Sequence, residues 1–194
     1  NTTTLTLSAN IRTGGNITVR SLGTLTQSTS TAQTITGTLT IQSGGSFKHA
    51  DNSTAQSNVI DFSVAGFDLQ SGGTVNIDHL GYDGGGSVNP GVNGRGPGAG
   101  SGGSGVISGG GAYAGNGGNG INSGSYSGTG GTGYGNFATP NFLGSGGGSG
   151  TFAAGGAGGG AMKITITGGG TVTVAGTISA KGGNVVFYKC FAVR

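Results

Sequence analysis

The sequence predicts an all-β protein: a parallel β-helix (solenoid) interrupted by a glycine-rich insertion of polyglycine or polyproline-II type, with essentially no α-helix. Three observations carry this. Apolar and polar residues alternate with period two through both flanks of the chain, the pattern of half-buried strands. Short Ser/Thr-Gly-Gly units recur at Gly14–Gly15, Gly44–Gly45 and Gly72–Gly73, separated by 30 and 28 residues, which suits stacked repeats. Between the flanks, Gly84 to Met162 form a run of 79 residues whose one charged side chain is Arg95.

The first flank, residues 1–83, supplies solenoid turns. Its strands are read at Leu5–Leu7, Ile17–Val19, Leu39–Ile41, Phe62–Val64, Phe67–Leu69 and Val75–Ile77. Leu, Ile, Val and Phe would stack inside and Thr, Ser, Asn and Asp line the outside. Chain reversals fall at glycines, where positive φ carries no steric cost. The second flank, residues 162–194, returns with Ile164–Ile166 and Val172–Val174, and TGGGTVTV from Thr167 repeats the unit seen in SGGTVNI. The segment from Val64 to Gly73 also matches that from Val174 to Gly183, each starting Val-Ala-Gly and ending Gly-Gly. An antiparallel sandwich is the alternative, because tight glycine turns suit hairpins too.

The insertion, residues 84–161, has too few large apolar groups for a side-chain core. Unstructured low-complexity sequence is the competing reading of such composition. If the tract is ordered, main-chain hydrogen bonds between neighbouring segments must order it, since glycine loses the most entropy on folding. Extended helices with three residues per turn direct their N–H and C=O groups sideways and have no internal bonds. Side by side and without Cβ atoms, several such segments pair the groups that burial requires to be paired.

Composition excludes several function classes. Fifty glycines with only three prolines do not make collagen. Eight Lys and Arg against five Asp, and no Glu, are scattered singly, so there is no basic stripe for nucleic acid. No apolar run of about 18 residues spans a bilayer. Asn1 is not an initiator Met, and no charged-then-apolar leader follows it, as expected of a mature exported form. Cys190 is the only cysteine, so it pairs with another subunit or is simply a small buried apolar residue.

Candidate sites are sparse. His49 lies near Asp51, and His79 between Asp78 and Asp83, but a metal wants three or four convergent ligands; solvated turn residues are the expected reading. Asp61, Asp68 and Asp78 are a thin supply for the two carboxylates of glycoside hydrolysis. There is no phosphate loop and no local sign of a Ser-His-Asp triad. Neither enzyme activity nor a cofactor or metal is expected. Three N-x-S/T sequons begin at Asn1, Asn16 and Asn52.

The order strand repeat, IDHLGYDGGG, glycine field, then GGGAMKITITGGGTVTVAGTISAKGG resembles secreted bacterial surface proteins that are large, glycine-rich, β-helical and often adhesin-like. The resemblance covers roughly residues 60 to 184. The glycine field also looks like the polyglycine sandwiches of phage tail-tip adhesins and of an insect antifreeze protein. The apolar ending from Asn184 to Arg194 departs from the pattern and reads as a capping or inserting strand. The resemblance implies extracellular or cell-surface structural or adhesive use.

The expectation is therefore a homo-oligomer or filament, joined through strand-like termini carrying Thr3, Leu5 and Leu7 at one end and Val185, Phe187, Cys190 and Phe191 at the other. A second expectation is a tip for surface glycans or a receptor, with Tyr113, Tyr126 and Tyr134 as the contact aromatics. A third is ice binding through alternate-position threonines, which equally suit an exposed strand face.

Overall fold

The computed structural model describes residues 2–88, 90–122, 125–136, 141–184 and 186–187. Among them there are fifteen strands and no helix. The chain forms two compact units, one of Asn1–Ala50, Ser57–Ile77 and Met162–Ala180, the other of Asp51–Gln56, Asp78–Ala161 and Lys181–Arg194.

The first unit holds β1 (Thr3–Leu7), β2 (Arg12–Thr13), β3 (Ile17–Val19), β4 (Gly23–Gln27), β5 (Gln33–Ile41), β6 (Ser46–His49), β7 (Ile60–Leu69) and β8 (Thr74–Asn76). To these it adds β12 (Met162–Ile166), β13 (Val172–Val174) and β14 (Thr177–Ser179). All its ladders are parallel. One sheet runs β1-β4-β6-β8-β14, and a second runs β12-β7-β5-β2. In the second sheet, β3 and β13 pair the later halves of β5 and β7. The register shifts between Ile35 and Thr38, where the burial alternation of β7 changes phase at Gly66–Phe67 and that of β5 does not. A Cβ on Gly66 would come within 2.9 Å of the Thr38 hydroxyl. The chain thus visits three ladder stretches in the same order on every circuit.

That order puts like on like. One apolar column is Leu5, Leu25, Phe47, Val75 and Ile178, buried at its three middle members. Others are Ile17, Leu39, Phe67, Val172 and Val19, Ile41, Leu69, Val174. Leu25, Ile35, Leu39, Ile41, Phe47, Phe62, Val64, Leu69 and Val75 are all essentially inaccessible, and the Phe47 and Phe62 rings meet edge to face at 5.3 Å. Each such residue contributes roughly 1.5–3 kcal/mol by leaving water. Two buried glutamines close the loop after β4. Gln27 and Gln33 both donate to the Thr31 carbonyl, at 2.8 and 2.7 Å, while accepting from the Asp61 and Ile11 amides.

The Gly-Gly spacing is not one repeat. Gly44–Gly45 and Gly72–Gly73 occupy equivalent turns, with Gly45 and Gly73 each donating three residues back, to Gln42 and Gln70. Their counterpart in the first circuit is Leu22–Gly23, where Gly23 donates to Arg20, whereas Gly14–Gly15 lies between β2 and β3. Likewise Val174 stands opposite Leu69 and not Val64, and the TGGG unit lies between β12 and β13. The matches of Gly14–Gly15, of Val174 to Val64 and of the TGGG unit therefore reflect shared turn chemistry, whereas that of Gly44–Gly45 to Gly72–Gly73 is a structural equivalence.

Among the described residues the second unit's strands are β9 (Gly120–Asn122), antiparallel to β10 (Ser125–Gly128), and β11 (Ala153–Ala154), antiparallel to β15 (Val186–Phe187). Much of the remaining described chain is bonded laterally through its main chain. The segment 143–150 lies at its centre. Its amides at Gly144, Ser145 and Gly146 donate to Gly159, Ala112 and Arg95, and the next three, Gly147, Gly148 and Ser149, donate to Gly156, Gly109 and Val92. Successive residues thus address three different neighbours, and every third returns to the same one. Carbonyls of the same segment accept from Tyr82, Gly85, Gly100 and Gly103, at 2.9–3.1 Å. Five neighbouring segments surround a core made of main chain. Glycine is required there by proximity: a methyl on Gly146 would fall on the Asp83 carbonyl, and one on Gly148 on the Ser101 carbonyl.

Candidate functional site

The first unit's ladders stop at both ends with their columns open. At one end are β1, β2 and β3, which pair on one side only. Leu5 is 55% exposed there although the next member of its column, Leu25, is buried. Leu5, Ile17, Val19, Leu22 and Leu25, with Arg20, line a cavity of about 300 Å³. At the other end are β12, β13 and β14, where Val172, Val174 and Ile178 are 57, 51 and 46% exposed. These are the same columns, cut at opposite ends, and an unpaired strand edge offers a row of free donors and acceptors.

Of the expected assembly residues, Thr3 and Leu5 lie on this edge, Thr3 donating to the Leu22 carbonyl at 3.2 Å. Leu7 points inward and is buried, beside Gln27 in the ladder. Phe187 is placed on β15, opposite Ala153. Val185, Cys190 and Phe191 lie outside the described residues. The sequence reading overlooked Leu22 and Ile178. A signal for Leu22 existed: Ser21-Leu22-Gly23 has the form of Ser43-Gly44-Gly45 and Ser71-Gly72-Gly73.

The tyrosines are built into the second unit. Tyr113 and Tyr134 meet edge to face at 5.5 Å. The Tyr134 hydroxyl donates to the Leu143 carbonyl and accepts from Ser145, whose oxygen in turn accepts from the Gly98 amide at 2.9 Å. Burial lifts the Tyr134 phenol above its ordinary value of 10.0; the Ser145 hydrogen bond opposes this, and Tyr82 and Tyr113 add to it. The Tyr113 hydroxyl is buried with no partner among the described residues. Tyr126 is on β10. Among the described residues, Phe142 and Phe152 are exposed aromatics.

The charged groups are dispersed. Lys163 lies 3.9 Å from Asp61 across the β12–β7 ladder, Asp68 accepts from Gln70, and Asp78 accepts from the Lys181 amide. His49 is buried with Nδ1 2.7 Å from the Ala50 carbonyl. His79 has a φ of 60° and donates its amide to Lys181. No group of three or more His, Cys, Asp or Glu among the described residues gathers as a metal site. No helix of the described residues is long and apolar enough to cross a membrane.

On the outer side of the first sheet, Thr4, Thr24, Ser46, Thr74 and Thr177 stand opposite one another on successive strands. They form one hydroxyl per rung at the strand spacing of about 4.8 Å. No family model, curated protein or solved structure matches the chain.

Proposed function

We propose that this chain is a non-enzymatic extracellular structural protein, the subunit of a surface filament, sheath or adhesive fibre. In this reading the first unit is a parallel β-solenoid. The second is a bundle of polyglycine-type helices, the three-residue donor repeat being that of a helix with three residues per turn. The observation that carries the assembly reading is the pair of open ends. A second copy stacked head to tail would set Ile178 against Leu5, Val172 against Ile17 and Val174 against Val19, continuing each column in parallel. Such a heterologous contact propagates as an open filament unless rotation closes it. The extracellular assignment rests on the resemblance to secreted glycine-rich surface proteins. Low charge, seven per cent of residues, leaves little repulsion to oppose association.

Electron microscopy and sedimentation of the native protein test this. Filaments are expected, and Ile178→Lys or Leu5→Lys should abolish them while leaving a folded monomer, since both side chains are about half exposed. Monomers at every concentration would reject the proposal.

The hydroxyl column on the first sheet supports a second reading, binding of a regular hydroxyl lattice such as ice. Shaping of ice crystals by the wild type, lost in Thr24→Lys, would favour it. The glycan-tip reading gains no such support, because the Tyr113 and Tyr134 hydroxyls are turned to neighbouring main chain or buried.

A further inference from the structure

The glycine-rich unit contains Asn93–Gly94, Asn116–Gly117 and Asn119–Gly120. In an Asn–Gly pair, the glycine nitrogen meets least steric resistance when it attacks the preceding side-chain carbonyl carbon. Here the side chains have been given another task. Asn93 Oδ1 accepts from the Gly102 amide at 2.9 Å, and Asn116 and Asn119 Oδ1 accept from Gly133 and Gly130 at 2.8 and 2.7 Å. Asn116 and Asn119 are three apart, and so are their partners, so these amides stand in for main-chain carbonyls in the lateral ladder.

We propose that Asn93 and Asn116 are masked modification sites, held unreactive by the closed ladder and converted to succinimide, then aspartate or isoaspartate, when the ladder opens. Both reacting groups are occupied in the closed state. The would-be nucleophiles are committed, the Gly94 amide to the Gly100 carbonyl at 2.9 Å and the Gly117 amide to the Gly131 carbonyl at 2.8 Å. Each glycine is also closely packed, since an added Cβ would fall on the Gly146 carbonyl at Gly94 and on the Gly110 carbonyl at Gly117. Solvent exclusion is not the protection, because both asparagines are exposed.

On opening, the glycine nitrogen loses its proton to solvent and bonds to Asn Cγ. The Cγ–Nδ2 bond breaks and ammonia departs, its last proton supplied by water. Water then adds to either carbonyl of the ring, the bond from that carbonyl to the glycine nitrogen breaks, and the nitrogen takes back a proton from water. Addition at the former main-chain carbonyl gives isoaspartate, which puts an extra methylene into the backbone and offsets every later donor from the three-residue repeat. A transient opening thereby leaves a permanent mark.

The test is peptide mapping by mass spectrometry of the full-length chain incubated at neutral pH, beside synthetic peptides spanning each pair. A Gly14→Asn variant provides an internal reference. It creates an Asn–Gly pair at Gly15, around which an added Cβ would meet nothing within 4 Å. Conversion at Asn93 and Asn116 in the folded protein is expected to be at least about tenfold slower than in the peptides, since only the open fraction reacts. The Asn introduced at position 14 should convert at close to the peptide rate. Peptide-like rates at Asn93 and Asn116 in folded protein would overturn the proposal. So would equal protection of the introduced pair, which would assign the effect to general order. The peptide comparison stands alone should the variant not fold.

Discussion

The two units hold their chains in place with different materials. In the stacked-strand unit, Leu25, Phe47, Phe62, Phe67 and Leu69 leave water in columns, and backbone pairing follows from strands held in register by those side chains. In the glycine-rich unit, the segment 143–150 is held chiefly by main chain, with Leu143, Ser145 and Ser149 as its only side chains larger than hydrogen and Tyr134, Ser108 and Gln56 as side chains that bond to it. The first kind of core tolerates no loss of volume, and the second no gain. This difference sets what a single substitution does in each.

The largest effect is expected where the apolar columns meet. Phe62→Ala removes a ring that is fully buried against Phe47, and truncations of this type cost about 3–5 kcal/mol. Chemical denaturation followed by circular dichroism would measure it. A loss below about 1 kcal/mol would mean that the columns are loosely packed and the comparison overdrawn.

The mirror experiment adds a methyl. Gly148→Ala places Cβ on the Ser101 carbonyl, a position no neighbouring backbone can vacate without breaking its own bonds. Overpacking typically costs about 1–3 kcal/mol. Gly118→Ala is the matched control, since a Cβ there meets nothing within 4 Å. By reducing the entropy of the unfolded chain, it should instead stabilise by up to about 1 kcal/mol. Hydrogen exchange of the Gly103 and Gly109 amides would follow both variants. Equal responses would remove the case for a main-chain core.

The units also differ in how much of each could be read from sequence. Alternation exposed β1, β3, β5, β7, β8, β12 and β13, because a strand that turns one face toward the column side must alternate. It gave no hint of His49, Gln27 or Gln33 as buried residues, since the partners that satisfy them are main-chain groups, the nearby Ala50 and Thr31 carbonyls and the sequence-distant Asp61 and Ile11 amides, which leave no mark in a side-chain pattern. In the glycine tract the need for lateral main-chain bonds was legible, whereas the partners were not. Glycine carries no side-chain pattern to fix a register, so nothing in GSGGGSG distinguishes Gly146 from Gly147. Burial of the Tyr113 hydroxyl was equally hidden, an aromatic in a polar tract ordinarily being read as exposed.

A smaller, pH-dependent effect separates the units further. The Tyr134 phenol titrates above 10.0 when folded, chiefly through burial. Its protonated form is therefore favoured in the native state. Below pH 10 both states hold the proton and the stabilisation is complete. As pH rises from about 10 through the folded value, the unfolded chain ionises first and stability falls. Alkaline titration of the wild type should show this decline in the glycine-rich unit, and Tyr134→Phe should remove it. An unchanged slope in the variant would place the alkaline sensitivity elsewhere.

The smallest expected change is a gain. Leu22 adopts a φ of 62°, at the turn where the next two circuits place Gly44 at 73° and Gly72 at 78°. A left-handed conformation costs a residue with a Cβ about 1–2 kcal/mol, while glycine brings back about 0.5–1 kcal/mol of unfolded-state entropy. Leu22 is 58% exposed, so little burial is lost with its side chain. Leu22→Gly should therefore stabilise the isolated protein by about 0.5 kcal/mol. Two circuits avoid the strain and one retains it, at the rim of the open cavity, where the leucine presents an apolar side chain to whatever continues the stack. If that side chain serves assembly, Leu22→Gly should raise thermal stability of the monomer and weaken filament formation together. A variant that gains stability without losing filaments would leave the strain without a role.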